Sequence, residues 1–184
     1  MQKKKMHSKK AKVSSQKKKI LAPAVHKAAP RTVTLGLIQM KMVPNKRANL
    51  TKAISFIKKA AQKKAQIICL PELFNTLYFP QDEKKIEEAH ILAESIPGPT
   101  TSELGKVAKS LGVVILVPLY EKGSDGKYYN TVAVIGEHGQ VIDTYRKMHI
   151  PHDPLFWEKN YFEEGNTGFK VIQTTHAKIA PLIC

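Results

Sequence analysis

Residues 65–73, "AQIICLPEL", constrain the fold more tightly than any other stretch. The apolar run has no polar partner positions, so it reads as a strand buried on both faces, and Pro71 closes it. Such strands belong to parallel sheets covered by helices, and the preceding segment supplies the helix. In "NKRANLTKAISFIKKAAQKKAQ", Leu50, Ile54, Ile57 and Ala61 recur at helical spacing with lysines on the opposite face. Before it, "TVTLGLIQM" is rich in strand formers. A β-α-β unit follows from these three pieces.

The pattern then repeats with a variation. "IPGPTTSELGKVAKSLG" offers Thr100 or Thr101 as a helix cap, Leu104, Val107, Ala108 and Leu111 as an apolar face, and Gly112 as a stop. It leads into the strand "VVILVPL". "YYNTVAVIG" and "QVIDTYR" read as a hairpin about a Gly-containing turn. From Lys147 to Gly168 the chain is loop-like, but Phe156, Trp157, Tyr161 and Phe162 argue for an ordered, functional loop rather than a disordered one. "FKVIQTT" and "AKIAPLIC" give two last strands, and Pro181, which removes a ladder hydrogen bond, makes the final one either an edge or a degraded strand. The order points to an α/β layered fold rather than a doubly wound one, in a single domain over residues 32–184.

The net charge of +15 looks like that of a nucleic-acid binder, but its distribution says otherwise. Residues 1–31 carry ten lysines, Arg31 and no acid, whereas the rest of the chain is nearly balanced. The tail is expected to be disordered, as a basic address, a contact for nucleic acid or an anionic surface, or a solvated extension. No apolar stretch is long enough for a secretory leader or a transmembrane helix. The two cysteines, Cys69 and Cys184, are expected to be free thiols in a reducing, cytoplasmic setting.

Three residues at the ends of expected strands form a chemical set: Glu72, Lys147 and Cys184. A thiolate is a good nucleophile, a carboxylate can take and return its proton, and an ammonium can stabilise an oxyanion. Taken singly, each has a plainer reading as a core thiol, a surface acid or a solvated lysine. His149 and His152 are separated by Pro151 and lack a completing ligand set, so no metal is expected. Asn49-Leu50-Thr51 matches a glycosylation pattern but opens a helix.

The segments "CLPELFNTLYFPQ", "YEKGSDGKYYNTVAVI", "YRKMHIPHDPLFWEKNYFEEGNTGFKV" and "LIC" together resemble the carbon-nitrogen hydrolases of the nitrilase superfamily, in the family's order across residues 32–184. The wording of the loop is most similar to the N-carbamoylputrescine amidases. The resemblance implies a nitrilase-like α-β-β-α sandwich and a site in which Glu72 is the general base, Lys147 the oxyanion stabiliser, Cys184 the nucleophile and Glu158 a second glutamate that positions substrate and lysine. Tyr78 is expected to line the substrate pocket. It implies no cofactor, a small carbamoyl or amide substrate, and homo-oligomers when the domain is complete. Amidases of β-ureidopropionase or ω-amidase type are alternatives, and a non-enzymatic basic protein acting through its tail is another. Family members continue past their nucleophile, so the chain is expected to be the N-terminal part of such a domain, incomplete at the C-terminus and weakly active or inactive alone.

Overall fold

The computed structural model describes residues 32–184; the expected basic tail lies outside the described residues. The elements run β1 (Leu35–Leu37), α1 (Lys46–Gln62), β2 (Ile67–Cys69), α2 (Ile86–His90), α3 (Pro99–Leu111), β3 (Val114–Lys122), β4 (Tyr128–Ile135), β5 (Val141–Arg146), β6 (Ile172–Gln173) and β7 (Lys178–Ile179). β1 to β5 form one sheet in sequential order, and β6 pairs with β7 in a separate two-stranded sheet. The first three strands are parallel, as the β-α-β pattern requires, and β4 and β5 return antiparallel.

Side-chain alternation decides which face each strand residue covers. Ile68, Ile115, Val117, Leu119, Ala133 and Ile135 join Ala53 and Ile57 of α1 and Leu104 and Ala108 of α3 in the main core. Their neighbours Ile67, Val114 and Val134 point the other way and pack with Ile172 of β6. Both long helices therefore lie on one face, and the short β6–β7 sheet contributes to the other. Removing each large aliphatic of the main core from water contributes about 1.5–3 kcal/mol. At the sheet edge, β1 leaves Leu35 and Leu37 exposed.

The helix ends follow their sequence signals in part. Asn45 caps α1 by accepting from the Ala48 N–H at 2.9 Å. For α3 the expected threonine cap gives way to Gly98, with Pro99 in the first turn. Thr101 instead reaches back from inside the helix and accepts from the Gly98 N–H at 2.8 Å, while Thr100 turns to a buried carboxylate. Gly112 ends the helix at φ 64°, a left-handed conformation that favours glycine. Asn49 is fully buried and bonds both backbone groups of Val43, so it is a loop clamp rather than a glycan acceptor.

The last two strands are shorter than their sequence suggests: each pairs over two residues, and β7 ends before Pro181. The helix α2 carries no clear sequence signal, since its five residues are too few for a helical period to show. The loop from Lys147 to Gly168 is packed as its aromatics imply. Tyr161 and Phe162 enter a second core with Leu73, Tyr120 and Ile150, where Phe79 stacks edge-on against both at 5.2 and 5.8 Å.

Candidate active site

Glu72 stands just past the end of β2. The Leu70 N–H still donates to Leu116, and Pro71, without an N–H, stops the ladder. The next residue, Leu73, is buried with φ 50°, a left-handed conformation that costs a leucine roughly 1–2 kcal/mol. Strain of this kind persists where surroundings over-determine it, and here they do. The Leu73 carbonyl accepts from both the backbone N–H and the hydroxyl of Thr76. Asn75 is held by Glu94 and Thr100, and Lys46 closes the same network on Glu94 at 2.9 Å.

Lys147 follows β5 directly, and its N–H donates to the Asn130 carbonyl at 2.8 Å, one residue beyond the last paired residue of β5. Gly165 donates to its carbonyl at 2.8 Å and approaches so closely that a Cβ there would lie 2.1 Å from the Arg146 oxygen. Between these constraints the side chain is driven inward and is 2% exposed. It donates to both Glu158 oxygens, at 2.8 and 3.0 Å, and to Glu72 Oε1 at 3.3 Å. Glu158 begins a 3-10 turn over Glu158–Asn160, anchored by the Tyr161 and Phe162 aromatics that follow it. Its side chain is also 2% exposed, so a charge without Lys147 would be strongly unfavourable there.

Tyr78 was expected beside the substrate; the structure also makes it a partner of Glu158, to whose Oε1 it donates at 2.6 Å. Burial first, then the Glu158 carboxylate, push its hydroxyl above the usual tyrosine range, so it stays a donor through any ordinary pH. Glu72 is less enclosed, with a third of its side chain exposed. The fold thus brings together Glu72 and Tyr78 from the segment after β2 with Lys147 and Glu158 from the loop after β5. Cys184 lies exposed past β7, with no side-chain hydrogen bond to this cluster among the described residues. Cys69 is half-buried on β2, and burial raises its thiol pKa.

Sequence reasoning passed over Asn130. This fully buried residue of β4 donates from Nδ2 to Glu72 Oε1 at 2.6 Å. An asparagine inside the apolar strand "YYNTVAVI" was the available signal, because such a residue fits a buried strand poorly. A cleft of about 620 Å³ between Pro44, Phe79, Asp82, Glu88 and Leu92 is lined by none of these groups.

Two carboxylates, Glu158 and the strand-end Glu72, thus clamp one buried ammonium. The pattern of the carbon-nitrogen hydrolase family matches residues 34–184. The chain belongs to that family. An N-carbamoylputrescine amidase of Solanum lycopersicum is 42% identical over 155 residues, covering 84% of this chain and 51% of that protein. An omega-amidase of Xenopus laevis is 38% identical over 159 residues, covering 82% of this chain and 54% of its own length. Among solved structures, a carbon-nitrogen hydrolase from Helicobacter pylori superposes with a TM-score of 0.74 at 30% identity, over 79% of this chain and 50% of that one. The chain thus has the nitrilase fold and spans about half the length of the curated relatives it matches.

Proposed function

We propose that this carbon-nitrogen hydrolase is an amidase acting on N-carbamoylputrescine, with Cys184 as nucleophile, Glu72 as general base and acid, and Lys147 as oxyanion stabiliser. One observation carries the chemistry: a fully buried lysine ammonium held between Glu72 and Glu158. A cation fixed in a low-dielectric site stabilises developing negative charge without reorganising during the reaction. Glu158, braced by Tyr78, holds that cation in place.

In this reading Glu72 takes the Cys184 proton, and the thiolate adds to the carbamoyl carbon while Lys147 faces the oxyanion. The C–N bond breaks, the departing amine takes the proton from Glu72, and a carbamoyl thioester remains. Water activated by Glu72 then releases the thiol and a carbamate that falls to CO2 and ammonia. The amine product is putrescine. Similarity to the Solanum lycopersicum enzyme supports the carbamoylated diamine as substrate, and similarity to the Xenopus laevis enzyme supports an ω-amido acid as the second reading.

The test is a direct assay of the protein at its full natural length. Putrescine release is expected, with kcat/KM at least about 10-fold above that for β-ureidopropionate or an ω-amido acid. A higher kcat/KM on an ω-amido acid would move the assignment to the second reading, and no turnover of any of the three would sink it. The remaining proposals concern partners and place: a homo-oligomer in a reducing cytoplasm, with the basic tail touching anionic surfaces or nucleic acid. Deleting residues 1–31 separates the last from catalysis, since tail-driven binding weakens steeply with salt and amidase activity does not. Among the described residues, no helix is long and apolar enough to cross a membrane.

A further inference from the structure

Asn130 joins the two charged halves of the cluster in a way that neither composition nor packing requires. Its side chain is fully buried, its Nδ2 donates to Glu72 Oε1 at 2.6 Å, and its own carbonyl accepts the Lys147 N–H at 2.8 Å. One residue therefore sets both where the base carboxylate sits and where the lysine leaves the sheet. Its Oδ1 is buried with no partner among the described residues. An orphaned amide oxygen is costly in a strand interior that an apolar residue would fill without loss.

The amide also divides the two oxygens of Glu72. Oε1 receives both the Asn130 amide and the Lys147 ammonium, whereas Oε2 has no hydrogen-bond partner among the described residues. An oxygen already accepting two donors is a poor place for a further proton. We infer that Asn130 is a positioning residue that pins Glu72 through Oε1, so that Oε2 is the atom exchanging the proton with Cys184. This rests on the proposed Glu-Lys-Cys reading and deepens it. The Cys184 S–H bond breaks, the proton goes to Oε2, and the electron pair left on sulfur forms the S–C bond. When the C–N bond breaks, its pair stays on nitrogen, which takes the proton back from Oε2.

The test compares Glu72→Gln, Asn130→Asp and Asn130→Ser in the full-length protein. Each is read by the rate of Cys184 alkylation with iodoacetamide, followed by mass spectrometry on the Cys184 peptide so that Cys69 does not interfere, and by kcat and KM. Asn130→Asp keeps the shape but sets two carboxylates together, and it is expected to lower kcat about 10²-fold with KM nearly unchanged, as for a misplaced reacting group. Asn130→Ser is expected to lower kcat less, and both variants to slow Cys184 alkylation as Glu72→Gln does. If Glu72→Gln slows alkylation while both folded Asn130 variants match the parent, the Asn130 assignment falls alone. If Glu72→Gln leaves alkylation unchanged, the reading of Glu72 as base falls, and this inference with it. Without any Asn130 variant, the parent's Asn130 side-chain amide proton is expected far downfield by NMR and back at an ordinary shift in Glu72→Gln. An ordinary shift in the parent overturns the inference.

Discussion

Lys147 and Cys184 carry two parts of one proposed reaction, yet the chain treats them in opposite ways. Lys147 is 2% exposed, bonded to Glu158 and Glu72, and fixed at its backbone by Asn130 and Gly165. Cys184 is exposed beyond a strand of two residues, without a side-chain hydrogen bond among the described residues. The lysine's side of this difference has a physical cause. A buried charge is tolerable only when its partners are already in place, so the lysine and its glutamates form one structural unit. A thiol is small and neutral at rest, and its burial requires no such partners.

Replacing Lys147 should break the comparison most forcibly. Lys147→Met leaves the Glu158 carboxylate buried and uncompensated, at a cost of about 3–5 kcal/mol by denaturant unfolding. It should also lower kcat/KM about 10²–10³-fold, the usual loss for one oxyanion donor. Adding Glu158→Gln should restore much of the stability and none of the activity. Recovery of both would show that the pair serves structure alone.

Gly165→Ala attacks the same unit from behind. Its Cβ would sit 2.1 Å from the Arg146 oxygen and 2.8 Å from that of Lys147, so the backbone must shift. About 1–3 kcal/mol of destabilisation is expected, with kcat falling more than KM rises. Tyr78→Phe removes only the hydroxyl that braces Glu158, from a half-buried side chain, and about 1 kcal/mol should be lost in thermal unfolding. Cys184→Ser should change stability least, within about 0.5 kcal/mol, while removing turnover. A large loss of stability in Cys184→Ser would mean that the cysteine is packed as firmly as the lysine, and the contrast would collapse.

The layered fold was legible because periodicity is written locally. The run "IICL" and the helical spacing of Leu50, Ile54 and Ile57 both depend on neighbours within a few residues. Strand-end placement likewise made Glu72 and Lys147 candidates, and the family resemblance added Glu158. What stayed hidden depends on contacts between distant residues. The Tyr78–Glu158 bond spans 80 positions and the Asn130–Glu72 bond 58, and no local pattern encodes either. The capping of α3 was misread because Pro99 fixes the first helical turn and leaves Gly98 as the flanking residue, so the threonines fall inside the helix. β6 and β7 proved shorter than their apolar patterns, which report burial and not pairing length.

The claim that Lys147 and its glutamates act on Cys184 is tested most directly by trapping the intermediate. Incubating the full-length protein with N-carbamoylputrescine, quenching in acid and mapping peptides by mass spectrometry should find a carbamoyl group on Cys184, absent from Lys147→Met. Putrescine release without any modification of Cys184, or an adduct equally abundant in Lys147→Met, would contradict the account.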